Sequence, residues 1–372
     1  LTPKRRISST VKLALKCVVL SLVAWGIYHS VRNSTHQLQT QRTELRQQAN
    51  QLREQAEVQQ STLSPAQQQA LLQQAEVLET NADNFWKASP GGLVLAGVLY
   101  ALGMLPASLY WRQCLLALGQ TPDLLTTIWA YFYGNLGKYF PGKAMVLVLR
   151  VSALEKSGVQ KIATSITIFM ETLTMMAVGG AIAAICLILL DVELWLTLLA
   201  VGLLLVTFVP TYPPVLRRLI PKLQKNVAPQ LVAQWVARAG WRLTIRGWLA
   251  LTLTWLLFGA SLLSVLLSLP STEIASSSWF QLFLSSLGAC ALAVVVGFVS
   301  LIPGGAGVRE VVLSTVLAPV VGPTAALCGA LWMRIVWLTT ELSTVGGLAA
   351  IRLLPSSTPL LPSSTPPGSP SD

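Results

Sequence analysis

Gly297-Phe298-Val299-Ser300-Leu301-Ile302-Pro303-Gly304-Gly305-Ala306-Gly307-Val308-Arg309-Glu310 interrupts a long apolar stretch with a Pro-Gly-Gly break and sets an arginine and a glutamate beside it. A second segment, Gly134-Asn135-Leu136-Gly137-Lys138-Tyr139-Phe140-Pro141-Gly142-Lys143, does the same with lysines. Proline removes a backbone donor and glycine releases the helix, so both stretches predict broken helices. In hydrocarbon, unpaired backbone groups survive only where protein or a water-filled cavity satisfies them. Broken helices in corresponding positions of two halves therefore predict a polar site at mid-membrane.

Composition points the same way. Hydrophobic residues make up 53% and charged residues 11%, with a mean hydropathy of +0.60; soluble domains carry roughly 25% charge. The expected fold is all-α, a polytopic membrane helix bundle of about seven spans with additional broken or re-entrant helices. The spans fall near 12–29, 91–111, 161–190, 192–210, 247–269, 279–302 and 324–352. The net charge of +11 lies in loops and tails beside these spans. That is the distribution of a positive-inside membrane protein, and it argues against a nucleic-acid partner. Cys17, Cys114, Cys186, Cys290 and Cys328 lie in or beside apolar runs without a CxxC pair or a nearby histidine, so they read as packing residues. No metal and no cofactor is expected.

Four regions follow. Residues 1–30 form a signal-anchor helix whose apolar core is preceded by Lys4, Arg5 and Arg6, and residues 31–90 a Gln-rich extracytoplasmic helical hairpin. Leu38, Leu45 and Leu52 recur at seven in its first arm, although a solvated spacer fits that arm equally well. Ser64-Pro65-Ala66-Gln67 supplies an N-cap, a proline at the first helical position and a glutamine reaching back, which starts its second arm. Residues 91–354 are the transmembrane domain, and 355–372 a Pro/Ser-rich tail expected to be disordered.

The 211–246 segment holds Arg217, Arg218, Lys222, Lys225, Arg238, Arg242 and Arg246 and no acid, so it belongs in the cytoplasm with both termini. The location is the plasma (inner) membrane. Counting spans from that segment, residues 121–150 must enter and leave by the same face. Residues 279–321 either re-enter in the opposite sense or form two short spans. The re-entrant version makes the halves an inverted repeat, each reading span, broken hairpin, span.

Ionisable groups in apolar runs mark the chemistry, because each costs at least about 2.5–3.5 kcal/mol at a helix centre unless it faces a cavity or a partner. Lys138, Lys143 and Arg150 flank the first break, Arg309 and Glu310 follow the second, and Glu171, Arg334 and Glu341 lie in the later spans. One reading is a positively charged cavity, with helix N-termini after Pro141-Gly142 and Pro303-Gly304-Gly305 aiming N–H groups at an anion. The other is a set of internal salt bridges, such as Arg334 with Glu171 or Glu341. Gly305 and Gly307 fit either close approach to a ligand or tight packing; Gly179-Gly180 and Gly346-Gly347 read as packing glycines. No catalytic motif is present: there is no HExxH, no Gly-x-Ser-x-Gly, no Walker loop, and no histidine in the spans. The chain is not expected to be an enzyme.

The pattern Asn135, Lys138-Tyr139-Phe140-Pro141-Gly142-Lys143 and Arg150, followed by Pro303-Gly304-Gly305-Ala306-Gly307-Val308-Arg309-Glu310, resembles the flippase-like membrane family related to the transmembrane region of lysylphosphatidylglycerol synthase. Trp111-Arg112, Glu171 and Arg334 fit that resemblance, which covers about 91–352. It implies a protein that moves or accommodates anionic or lipid-linked head groups in the bilayer. Lys143 stands where many relatives carry glycine, and no soluble aminoacyl-transferase region follows the last span, so lysyl-lipid synthesis is not expected. Two functions remain: translocation of a lipid with an anionic or lipid-linked head group, without an ATP site, or service as a non-catalytic membrane partner of an envelope-biosynthesis enzyme. In the first, Asn135, Lys138, Pro141, Gly142, Lys143, Arg150, Glu171, Pro303, Gly304, Gly305, Gly307, Arg309, Glu310 and Arg334 form the substrate site.

Overall fold

A computed structural model describes residues 42–59, 64–84, 87–140, 144–209, 240–270, 278–300 and 307–353, with isolated positions between them such as Ile302 and Gly305. The signal anchor, the basic run over 216–239, Pro141, Gly142, Lys143, Pro303, Gly304 and the tail lie outside the described residues. The described residues are helical throughout, with no strand among them. The helices are α1 (42–58), α2 (Pro65–Asn84), α3 (Pro90–Ala117), α4 (Leu124–Asn135), α5 (Ala144–Leu154), α6 (Lys161–Leu189), α7 (Leu194–Phe208), α8 (Trp241–Leu267), α9 (Trp279–Val299), α10 (Val308–Val321) and α11 (Pro323–Leu353).

Among the described residues five helices, α3, α6, α8, α9 and α11, are long and apolar enough to cross a membrane. That is fewer than the expected number. The span over 12–29 lies outside the described residues, and the one over 192–210 is the 15-residue α7, about 22 Å long and short of the roughly 30 Å hydrocarbon core. Asp191 holds a left-handed φ of 50° just before it, so the chain turns there instead of continuing the helix. A second difference is that α8 begins at Trp241, which puts Arg242 and Arg246 on its opening turns instead of in a loop. Val94, Leu95, Val98, Phe169, Ile185 and Ile188 are exposed on α3 and α6, the apolar exterior that a lipid-facing helix needs.

The α1–α2 pair is the expected hairpin, and Ser64 and Gln67 form the expected cap. The Ser64 N–H donates to Gln67 Oε1 at 3.0 Å while the Gln67 N–H donates to Ser64 Oγ at 3.3 Å. Arg42 and Arg46 both reach Asp83, and Arg53 pairs with Glu79. The arm packs less on a leucine stripe than expected. Leu45 is buried, but Ala49, Ala56, Ala75 and Ala82 fill most of the seam.

Hydrogen bonds between helix ends fix the bundle. Arg112 Nε donates to the Pro122 carbonyl at 3.4 Å, and Gln120 Oε1 accepts from the Gln160 N–H at 2.9 Å. These contacts hold the end of α3 and the starts of α4 and α6 at one end of the molecule. The chain over 121–160 therefore leaves that end and comes back to it. Asp123 caps α4 there by accepting from the Thr126 N–H at 2.8 Å, and the Arg352 guanidinium lies 4.4 Å from the Trp129 ring centre, bringing the end of α11 alongside. At the opposite end the Ser89 N–H donates to the Ser268 carbonyl at 2.8 Å, joining the start of α3 to the end of α8.

α3 and α8 pack along each other through small residues: Ser261 Oγ donates to the Ala96 carbonyl and Ser264 Oγ to the Gly92 carbonyl, both at 2.8 Å. Around this pair the contacts are reciprocal, α6 packing on α9 and α11 on α4. Gly180 lets α6 approach the α7 backbone at Leu204, as expected of a packing glycine. Gly346 and Gly347 do not pack; open space faces both, which corrects that expectation.

Candidate functional site

α4 and α5 hold 12 and 11 residues, so each is about half a membrane deep. They pack on one another, with a 3-10 turn over Leu136–Tyr139 between them. Gly137 permits this turn: a Cβ there would lie 2.7 Å from the Met145 carbonyl carbon, inside α5's first turn. The second pair, α9 and α10, is joined through Gly305 and Gly307, whose φ values of +67° and +83° only glycine adopts without strain.

The two turns face one cleft. Lys138 and Tyr139 come to it from the first, Arg309 and Glu310 from the second, and Arg334 and Trp337 from α11; it is narrow, with a cavity volume of about 20 Å³. Arg334 lies eleven residues into α11 and Tyr100 ten into α3, depths of about 15–17 Å along each helix. The cleft thus sits near the middle of the bundle, as the two breaks predict.

Lys138 Nζ donates to Glu341 and to the Tyr100 hydroxyl, and that hydroxyl donates to the same Glu341 oxygen. Glu341 is fully buried, and its other oxygen, Oε2, is without a hydrogen-bond partner. Tyr100 is held in place by stacking on Trp337 with ring centres 4.2 Å apart, while Trp337 Nε1 donates to Ser261 Oγ at 3.1 Å. On the other side Arg334 pairs with Glu310, whose second oxygen accepts from the Gly307 N–H at 2.7 Å. That contact corrects one expectation: part of the N-terminal donor set of α10 is taken by its own glutamate. It also corrects the expected partner of Arg334, which is Glu310 and neither Glu171 nor Glu341. Glu171 goes to Arg150 and Glu341 to Lys138.

Arg309 is different from its neighbours. Among the described residues it forms no ion pair, and its buried Nε has no hydrogen-bond partner. Its side chain lies on two glycines; a Cβ at Gly297 or at Gly305 would come within 2.8 Å of it. Close approach of Gly305 is therefore to Arg309 itself. With Lys138 and Arg334 set against Glu341 and Glu310, Arg309 leaves the cleft with one positive charge in excess.

Arg150 and Glu171, expected in the same site, form a separate one. Arg150 Nη1 donates to Glu171 at 2.8 Å, and both side chains are nearly sealed from solvent, at 3% and 2% exposed. The guanidinium lies 4.0 Å from the Tyr131 ring centre and 5.0 Å from that of Trp111, and Tyr131 donates to the other oxygen of Glu171 at 2.8 Å. Arg150 Nε, like that of Arg309, has no hydrogen-bond partner, but the charge of Arg150 is matched by Glu171. Asn135 donates to Met104 Sδ at 3.6 Å, a packing contact. Tyr139 and Trp337 line the cleft, Tyr100 and Glu341 hold Lys138, and Gly297 lies under Arg309; the sequence analysis left all five out of the site. A tyrosine and a glutamate inside apolar helices were the available signal for Tyr100 and Glu341.

The family model for the lysylphosphatidylglycerol synthase TM region matches residues 78–340. The chain belongs to this family. Comparison with curated proteins gives no match. Tyr100, Lys138, Arg309, Glu310 and Arg334 all lie inside the part that corresponds to the lysylphosphatidylglycerol synthase TM region, and Glu341 directly follows it. The α1 arm and most of α2 precede it. Membership and the five apolar helices make the chain a multi-pass integral membrane protein.

Proposed function

We propose that this protein binds the anionic head group of a membrane lipid, or of a lipid-linked carrier, in the central cleft and moves it across the bilayer. The unpaired Arg309 carries this reading. Among the described residues it has no counter-ion, it lies in a cleft where two helix breaks meet, and its planar fork suits a phosphate. Lys138 and Arg334 stand beside it, while the acyl or polyprenyl chain stays in the surrounding bilayer. In this reading α4–α5 and α9–α10 are re-entrant hairpins entering from opposite faces, and the two halves are an inverted pair. The reciprocal packing of α6 on α9 and α11 on α4 supports that arrangement. The cytoplasmic face is the one bearing Arg112, Lys156 and Arg352, in the plasma membrane, and the protein acts as a carrier and not as an enzyme.

The test is scrambling of a fluorescent anionic lipid in vesicles holding the purified protein. The parent should accelerate it and Arg309→Ala should not, at matched folded amounts. Equal scrambling by both overturns the reading. A second reading, a membrane partner for an envelope-biosynthesis enzyme, draws on the α1–α2 hairpin, which its own ion pairs hold together. It predicts that deleting 42–84 abolishes function while scrambling by the purified protein is absent from the start.

A further inference from the structure

The cations of the cleft are not equally free to receive a head group. Arg334 is held by Glu310, and Glu310 is held a second time by the Gly307 N–H at the start of its own helix. Lys138 is held by Glu341, which uses only one of its oxygens. Lys138 and Arg309 line the same narrow cleft. A phosphate seated on Arg309 therefore lies where Lys138 can turn to it, and Lys138 is the sole ion-pair partner of Glu341 among the described residues. A wholly buried carboxylate stripped of its cation is costly, and a proton on it removes the cost.

We infer that a head-group phosphate and a proton enter the cleft together, the phosphate joining Arg309 and drawing Lys138 away, the proton going to Glu341. The inference rests on the head-group reading of Arg309. The groups facing Glu341 leave no other acceptor. Tyr100 from α3 and Tyr139 from the 3-10 turn already carry their protons, Arg309 and Arg334 are permanent cations, and Glu310 keeps both its partners. The proton comes from bulk water and forms an O–H bond on the unpartnered Oε2; no other covalent bond is made or broken. Movement of the lipid would then be linked to a proton gradient, which supplies a driving force to a chain with no nucleotide-binding loop.

Binding of dihexanoyl phosphatidylglycerol to the full chain in detergent, between pH 5 and 8, tests this. Its phosphodiester keeps one charge over that range, so a pH slope cannot come from the ligand. Affinity for the parent should rise up to about tenfold per unit fall in pH, with about one proton taken up per lipid bound, read by an indicator dye in weak buffer. Glu341→Gln should bind without slope and without uptake. Lipid binding by the parent with neither slope nor uptake overturns the inference and leaves the head-group reading standing. Uptake that persists in Glu341→Gln overturns the assignment to Glu341. No binding at any pH removes the head-group reading and this inference with it. Where Glu341→Gln does not fold, the dye measurement on the parent decides alone.

Discussion

Arg150 and Arg309 each lie against a glycine of the preceding helix, Gly134 in the first pair of short helices and Gly297 in the second. From that common seat they meet different surroundings. Arg150 is enclosed by Glu171, Tyr131 and Trp111, whereas Arg309 has two bare glycines beneath it and, among the described residues, no carboxylate on it. The same residue type in the same kind of position is a structural tie in one hairpin and a vacant donor in the other. Charge inside an apolar run is thus a signal for a polar interior; whether it serves stability or binding depends on whether its partner is protein.

The contrast can be broken by truncation. Arg150→Ala leaves Glu171 buried without a cation and should cost about 3–5 kcal/mol of stability, read as a fall in unfolding midpoint in detergent. Adding Glu171→Gln should restore much of that loss, since the uncompensated charge is its main source. If Arg150→Ala is as stable as the parent, the enclosed pair is not the tie described here.

Arg309→Ala should keep the unfolding midpoint of the parent and lose head-group binding by about 1.5–3 kcal/mol, roughly tenfold to a hundredfold. Arg309→Lys keeps the charge but not the two-bond fork, so it should recover only part. A large loss of stability in Arg309→Ala would erase the difference between the two arginines.

The glycine seats sharpen the comparison. Gly134→Ala pushes on Arg150 and should lower stability, while Gly297→Ala pushes on Arg309 and should lower lipid binding with little change in the midpoint. Overpacking of this kind costs about 1–3 kcal/mol. Both variants losing stability alone would mean that the second seat is packing too.

The smallest effect is expected at the rim. The Thr126 N–H holds the Asp123 carboxyl below its usual value, so the cap is in full force above the ordinary aspartate range and is lost as pH falls through the lowered value. Asp123→Ala should cost about 1 kcal/mol at neutral pH and nothing in strong acid. In the α1–α2 hairpin, Asp83 is likewise held low by Arg46 and Arg42, so acid and high salt should both loosen that arm without touching the cleft.

Much of this was legible along the chain. Pro and Gly beside Lys138 and Arg309 marked the breaks, and Ser64 with Gln67 marked a helix start, because caps and breaks depend on residues a few positions apart. The ends of α7 were not legible, because apolar composition over 192–210 sets no helix limits by itself. The partner of Arg334 was misjudged because every buried acid was an equal candidate in the sequence. Glu341 was noticed but left out of the site, since nothing near it in sequence shows that Tyr100 and Lys138 arrive there.

By itself the sequence determined that the chain is helical, apolar on its outer faces and broken at two places deep inside, because hydrocarbon admits no unpaired backbone and few charges. Those are local demands, met within a helical turn or two. Which cation is left without a counter-ion was decided only by tertiary structure. Lys138 and Glu341 are separated by 203 positions, and Tyr100 and Glu341 by 241. Pairing across such distances follows from which helices pack together, and in a low-dielectric interior each carboxylate goes to the cation that packing brings within reach. Among the described residues, Arg309 is the cation of the cleft for which packing brings none.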